Sequence, residues 1–553
     1  MSESSQQVVN TKSPSIFERF GKGFVNFFTK SIPNFFTKKL PGFFIAIGKR
    51  IKKTCVILVK RFVEGSIGTK LSHFIFGAGN LYRGQIVKGL IYLAVQLGLI
   101  AIFVFCPQVV GPNNVLVPLG WKALANLVLE GTEGGFNPAD PANPIPASSS
   151  QLMLLFGLVT IGLILLYIFI WNSSINSSVL ADEDVKEGRK PSTFKQDLQG
   201  LIDGRFHVLM ISPTLMAAII FTLLPTIFMI CIAFTTYNNI DMSSEGTVLF
   251  HWSGFKNFGA IFSGEGSLGR EIHARFFPVL GWTVIWAILA TVTCYFGGII
   301  LALLINKKGL KFKKVYRTMF VLTIAIPQFI SLLAIRFLLS AEGPINGMLK
   351  SWGWISESIS FLGLAVDSAA NNVLLAKVMI IIINMWIGVP YTMLMTSGIL
   401  MNIPSDLYEA ARVDGTSKIK MFFKITMPYI FFITTPYLIS SFIGNINSFN
   451  TIFLLSGGGP TVSDAATGYT YRAGETDLLV TWLYKLTIDN GDYNTGAVIG
   501  ILTFLFTSTI TLITYRHSKA YKEEDTFQWL NRRKNMQVSR KEKQPLLLVL
   551  ISY

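Results

Sequence analysis

Asn384, Gly388 and Tyr391 fall at i, i+4 and i+7 within an apolar run, a spacing that places three residues on one face of a helix. Ser441, Asn445 and Ser448 repeat the spacing in a second run, with Asn447 and Asn450 close by, and Gln328 follows Pro327 in a third. These side chains donate and accept hydrogen bonds without carrying charge, and Tyr391 adds a flat ring. In apolar surroundings such a set suits a neutral ligand. The same residue types also tie helices together inside membranes, so ligand contact and helix packing both stand as readings. Ionisable groups are scarce in these runs. Lys88, His207 and Lys377 lie at edges, and Arg336 is the one charge well inside. Its simpler reading is a side chain that pairs with an acid or reaches to the membrane surface. A proton relay needs titrating groups at membrane depth, and the runs do not supply them. No GxxxxGK[ST] phosphate loop, HExxH pair or carboxylate pair occurs. The expectation is a chain with no catalytic residue, no metal site and no cofactor of its own. Cys55, Cys106, Cys231 and Cys294 form no CxxC pair and read as small apolar residues.

The elements that must position these residues are set by composition. The chain has 553 residues, 51% hydrophobic and 14% charged, with a net charge of +17. A soluble domain carries roughly 25% charged residues, so an ordinary cytosolic enzyme is excluded. A bilayer core of ~30 Å needs ~20 mostly apolar helical residues. Eight stretches qualify, at about 86–106, 152–171, 207–234, 278–305, 316–340, 378–401, 427–446 and 496–515. Pro213, Pro225, Pro327, Pro390 and Pro436 lie within them and predict kinks. With the N-terminus in the cytoplasm, 38 of the 48 Lys and Arg fall in inside segments and 7 in outside loops. That asymmetry predicts both termini inside. The basic excess is thereby assigned to cytoplasmic loops and anionic lipid, with no nucleic-acid partner. The outer segment 107–151, rich in Gly, Pro, Asn and Ser, reads as a loop.

Between spans six and seven a short helix is predicted over 405–415. Ser405 suits an N-cap, Asp406 the first turn, and Gly415 a left-handed C-cap. About ten residues reach roughly 15 Å, too short to cross a bilayer. Ala410 and Ala411 give a surface that another protein can approach closely, flanked by Glu409 and Arg412.

Here the sequence resembles a known family. Glu409-Ala410-Ala411, Asp414-Gly415, Phe422, Ile425 and Pro428 match the cytoplasmic signature of binding-protein-dependent ABC importer permeases. Thr416 and Met427 replace the family's usual Ala and Leu. Residues 278–516 are similar to the larger, eight-span permease of maltose and maltodextrin importers, through VYRTMFVLTIAIPQFIS at 315–331, NMWIGVPYTM at 384–393, FLLSGGGP at 453–460 and TDLLVTWLYKLT at 476–487. The resemblance implies an all-α membrane protein of eight transmembrane helices with the type I ABC importer permease fold and both termini cytoplasmic. It implies a coupling helix (Glu409, Ala410, Ala411, Asp414, Gly415) that docks on an ATPase subunit, where ATP and Mg are bound. It implies a second permease subunit in a heterodimer, two ATPase subunits and an extracellular sugar-binding protein. It places the sugar among Gln328, Asn384, Gly388, Tyr391, Asn445 and Ser448. Maltodextrin is the favoured cargo and another oligosaccharide, such as a galactan fragment, the alternative. A carrier coupled to ions and acting alone is the competing class. The loop at about 235–277 lacks the large insertion of some relatives, which suggests the cell membrane of a single-membrane bacterium.

The resulting organisation is a basic amphipathic arm (1–85), spans one to three (86–277), a permease core (278–516) and a basic tail (517–553). The arm carries the near-repeat NFFTKSIP and NFFTKKLP. Pro33 and Pro41 predict breaks into short amphipathic turns. Phe27, Phe28, Phe35, Phe36, Phe43 and Phe44 would then enter the headgroup region, with Lys30, Lys38, Lys39, Lys49, Arg50, Lys52 and Lys53 on anionic lipid. A plain orientation-setting arm is the other reading.

Overall fold

The computed structural model describes residues 40–105, 108–110, 116–129, 150–204, 206–237, 251–264, 266–307, 309–364, 372–463 and 470–517. The Phe pairs at 27–28 and 35–36, Lys30, Lys38, Lys39, Cys106 and the basic tail lie outside them. The chain divides into two compact units, residues 1–254 and 255–553. Among the described residues seven helices are long and apolar enough to cross a membrane, and a bent helix pair brings the number to eight when it is counted as one broken span.

The first unit opens with α1 (Leu40–Glu64), α2 (Ile67–Ser72), α3 (Ala78–Tyr82) and span one, α4 (Ile86–Phe105). Pro41 does not break α1. The described residues run unbroken past it as one helix to Glu64. Strands β1 (Gln108–Val110) and β2 (Leu116–Pro118) pair antiparallel with Val109 opposite Val117, and α5 (Trp121–Leu129) follows. The segment expected as a loop is thus structured in part: the Trp252 indole donates to the Leu127 carbonyl, and Leu127 packs beside Gly157. Helix α6 (Ser150–Lys186) is span two and continues well past the apolar run. Its extension carries Ser174, Ser178 and Asp182 at i, i+4 and i+8, one face. Ser174 accepts from the Gly77 amide at 2.8 Å, and Asp182 accepts from Ser66, Thr69 and Arg83 at 2.6, 2.6 and 2.8 Å. These bonds fold α2 and α3 back onto the C-terminal part of α6. After α7 (Phe194–Asp203), span three runs as α8 (Phe206–Ala218), a π turn at 219–223 and α9 (Leu224–Ile232). Pro213 lies inside α8, and Pro225 follows the π turn in the first turn of α9.

The second unit begins with α10 (Lys256–Ser263) and α11 (Gly266–Asn306), which contains span four. Span five is α12 (Lys313–Ala325) and α13 (Gln328–Leu338), bent by 94° at the Ile326–Pro327 break. Proline removes the amide donor and forces the preceding residue toward extended backbone, and Ile326 has ψ 127°. A kinked but continuous helix over 316–340 is therefore corrected to two helices at nearly right angles. Next come α14 (Pro344–Ser351), span six as α15 (Val373–Met401), α16 (Ser405–Val413), and α17 (Lys418–Met421), which runs through a π turn into α18 (Met427–Ile446), span seven. A short α19 (Phe449–Leu455), a glycine turn, the β3 (Val462–Ser463) and β4 (Thr470–Tyr471) hairpin, α20 (Leu479–Tyr484) and span eight, α21 (Tyr493–His517), complete the described elements.

The core of this unit is Trp286, Ala290, Leu332, Ile380, Ile383, Ile452 and Leu478. Spans four and six approach through glycine: a Cβ on Gly297 would meet Val389 at 2.8 Å, and one on Gly388 would meet the Cys294 sulfur at 2.5 Å. Small residues let membrane helices pack backbone to backbone where hydrophobic driving force is absent.

Candidate functional site

The break in span five opens a cavity of about 240 Å³ against span six, lined by Thr323, Ile326, Gln328, Ser331, Trp386 and Tyr391 among others. It holds no charged side chain. Tyr391 and Trp386 are 52% and 58% exposed, offering two aromatic surfaces beside the Gln328 amide. Gln328 sits there because Pro327 ends one helix and begins the next. Its Nε2 donates to Thr451 Oγ1 at 3.4 Å, and the Ser448 hydroxyl reaches the same oxygen at 3.0 Å. Gln328 and Ser448 thus meet at buried Thr451.

The remaining expected residues turn elsewhere. Asn384 is buried, and its Nδ2 donates to Cys294 Sγ at 3.4 Å on span four. Gly388 rests on the same sulfur. Asn445 Nδ2 donates to Thr291 Oγ1 at 3.0 Å, while its carbonyl accepts the Trp286 indole at 3.1 Å. The three residues read as one face of span six are therefore divided between two neighbours. Span four covers Asn384 and Gly388, and the broken span five opens at Tyr391. Trp386, Thr323, Ser331 and Thr451 join the cavity or its rim without having been singled out. Trp386 had a signal, as an aromatic two residues from Asn384 in an otherwise aliphatic run. Thr323, Ser331 and Thr451 had none, because hydroxyls in membrane helices usually bond their own backbone.

Arg336 Nη1 donates to the Leu454 carbonyl at 3.3 Å and finds no carboxylate partner among the described residues. It borders two cavities, one with apolar walls and one shared with Arg472, Lys485 and the Gly457–Gly459 turn. The neighbouring charges are paired: Arg472 with Glu271 and Asp492, Lys485 with Asp477 at 2.6 Å, and Arg275 and Lys377 with Glu475 at 3.3 and 2.9 Å. Burial works to raise the Glu475 carboxyl, but the hydrogen bond and charge of Lys377, with Arg275 behind, outweigh it and hold it below the usual carboxylate range. Removing a partner from such a pair leaves a costly unpaired charge.

The short helix between spans six and seven is α16 itself. Its N-cap is Pro404, and Ser405 is the first helical residue with no capping bond, because Pro404 already holds the extended φ/ψ that an N-cap needs. The C-terminus ends as expected. Gly415 has φ +67°, its amide donates to the Arg412 carbonyl at 3.0 Å, and the Thr416 amide donates to the Ala411 carbonyl at 2.9 Å. This pair of bonds is the Schellman closure. Glu409, Ala410, Asp414 and Gly415 are exposed, Ala411 half-buried, and Val413 is 88% exposed. The Tyr408 hydroxyl bonds Thr426 at 2.8 Å, fixing α16 to the base of span seven. A rigid, capped helix with an open small-residue face can receive force from another protein.

These features define a mostly helical, multi-span membrane protein with an uncharged cavity at the broken span and a short, exposed helix between spans six and seven. Residues 294–520 match the family described as binding-protein-dependent transport system inner membrane component. The galactooligosaccharides transport system permease GanP of Bacillus subtilis is 30% identical over 449 residues, 81% of this chain and 96% of that protein. The maltodextrin transport system permease MalC of Streptococcus pneumoniae is 29% identical over 452 residues, 81% of this chain and 95% of the relative. A crystal structure of a bacterial ABC transporter involved in alginate import aligns over 58% of this chain and 98% of its own, with 21% identity and a TM-score of 0.43. The chain belongs to the binding-protein-dependent transport system inner membrane components, the permease subunits of ABC importers.

Proposed function

We propose that this chain is the translocating subunit of an ATP-driven importer of neutral oligosaccharides. The observation that carries the reading is the uncharged cavity at the broken span, where Gln328 lies beside the exposed rings of Trp386 and Tyr391. Stacking surfaces and amide hydrogen bonds suit sugar rings and hydroxyls. At about 240 Å³ the cavity falls below the roughly 300–1,000 Å³ of a complete ligand pocket. A second permease subunit completes it in this reading. Asn384, Gly388 and Asn445 then act behind the site, holding spans four, six and seven in register, while Gln328, Ser448 and Tyr391 reach the sugar.

Work enters through α16, which docks on one of two ATPase subunits that bind ATP and Mg. An extracellular binding protein delivers the sugar to the opposite face. Both termini lie in the cytoplasm, and the chain resides in the cytoplasmic membrane of a single-membrane bacterium. Maltodextrin is the cargo supported by the similarity over 278–516. A galactooligosaccharide is the second reading, favoured by the similarity to GanP across 81% of this chain. Uptake of labelled maltotriose and galactobiose by vesicles carrying the whole importer and its binding protein separates the two. Saturable uptake of neither, with ATPase activity intact, would exclude both cargoes.

A further inference from the structure

Helix α1 is not used by any step above, yet it is amphipathic. Ile51, Cys55, Leu58 and Phe62 fall at i, i+4, i+7 and i+11, one narrow stripe. Lys49, Lys53 and Lys60 fall on the opposite side, with Arg50 and Lys52 on the flanks. At 100° per residue the apolar four span about 60° and the three lysines about 40°, centred nearly half a turn apart. Little of either side is covered by protein: Ile51 is 58% exposed, Cys55 is exposed, and Lys49, Lys53 and Lys60 are all exposed.

A second observation fixes the level of this helix. The apolar run of span two ends at Trp171, and Asn172, Ser173 and Ser174 follow. The Trp171 indole donates to the His73 carbonyl at 2.9 Å, and its ring lies edge-on to the His73 ring. The His73 ring in turn meets Phe62 edge-on at 5.3 Å. Arg61 bonds Asn176 on the same helix of span two. The C-terminal end of α1 is thus fastened where the hydrocarbon-facing part of span two gives way to polar residues. Around that joint, Ile67, Leu71, Phe74 and Ile75 are exposed as well. A tryptophan at such a boundary marks the headgroup level.

We propose that α1 lies along the bilayer surface, with its Ile51–Phe62 stripe among the acyl chains, and that Lys49, Lys53 and Lys60, helped by Arg50 and Lys52, bind anionic phospholipid headgroups. The occupant is a negatively charged membrane and not a protein. Basic side chains line the polar side of the helix, with Glu64 its one acid, and the joint to span two holds its end at headgroup depth. A helix of 25 residues reaches ~37 Å, enough to lie across several lipids. The fraction of anionic lipid then controls how firmly α1 is seated.

Cys55 lies on the apolar stripe and offers a probe position. In the assembled importer, with Cys106→Ser and Cys231→Ser and with Cys294 buried, an environment-sensitive fluorophore is attached to Cys55. The complex is reconstituted in phosphatidylcholine vesicles with or without about 30% phosphatidylglycerol, a charge density at which polybasic segments bind. Acrylamide quenching should fall roughly threefold or more in the anionic vesicles. The triple variant Lys49→Glu/Lys53→Glu/Lys60→Glu should lose that protection, and Lys49→Arg/Lys53→Arg/Lys60→Arg should keep it. Equal quenching in the two lipids overturns the proposal, whether the probe is open or shielded, since shielding without anionic lipid means cover by protein or by acyl chains alone. Protection that survives the glutamate variant overturns it too.

Discussion

Replacing Gly388 with alanine separates helix packing from ligand contact on span six. The added Cβ would lie 2.5 Å from Cys294 Sγ and 3.2 Å from its Cβ. Non-bonded heavy atoms settle at roughly 3.5–4.0 Å, so spans four and six must part by ~1 Å or the thiol must turn away. Turning the thiol breaks its contact with the Asn384 amide at 3.4 Å, and parting the helices loosens the Gly297–Val389 and Gly298–Thr392 approaches beside it. Overpacking of this kind costs about 1–3 kcal/mol. For a unit of this size the melting temperature should fall by roughly 2–6 °C. The assay is thermal unfolding of the assembled importer, read beside sugar uptake. Cys294→Ala removes the atom in the way, so the double variant should regain most of the loss, with a coupling energy of about 1 kcal/mol or more. A Gly388→Ala importer that melts at the wild-type temperature while failing to transport would refute the packing argument and return Gly388 to the ligand. So would a double variant with simply additive losses.

Tyr391→Ala removes a ring from the cavity and touches little else, so uptake should drop at least tenfold while ATPase stimulated by the loaded binding protein persists, an effect of about 1.4 kcal/mol or more. Normal uptake would exclude Tyr391 from the sugar path. Asn384→Ala should instead lower thermal stability and ATPase together by about 1–3 kcal/mol, since it empties a buried hydrogen-bonding position. Glu409→Lys and Gly415→Val should abolish transport in a complex that still assembles, the second because a β-branched residue at φ +67° costs about 1–2 kcal/mol and opens the Schellman closure. Normal rates in either would remove α16 from coupling. Glu475→Gln should lower stability at neutral pH, leaving Lys377 and Arg275 without their anion. The Glu475 carboxyl titrates below its ordinary 4.5, so its stabilisation is complete above that value and is lost as pH falls through the lowered one. The gap between variant and wild-type melting temperatures should therefore close only in strong acid, and a gap that closes already at pH 6 would contradict the ion-pair geometry.

Much of this molecule is written locally in its chain. Span positions follow from runs of apolar residues, because the transfer of each side chain into hydrocarbon depends little on its neighbours. The end of α16 was legible at Gly415, since a left-handed closure is a property of one residue's backbone. Its start was misplaced by one residue because Pro404 and Ser405 both suit a helix entrance, and spacing does not rank them. Pro41 likewise looks like a breaker, yet α1 continues past it to Glu64. Pro327 marked a kink, but a proline fixes only its own φ and the residue before it, so the 94° turn was set by what packs on either side. The polar face of span six shows the limit most clearly. Spacing placed Asn384, Gly388 and Tyr391 together, and as a statement about one helix that holds. Which neighbour each residue meets depends on where span four crosses and where span five breaks, and those are decided by glycines and a proline far away in sequence. Helix identity is a short-range property that the sequence alone determines. Partnership between helices is a packing outcome, and only the tertiary structure assigns Asn384 to a thiol and Tyr391 to a cavity.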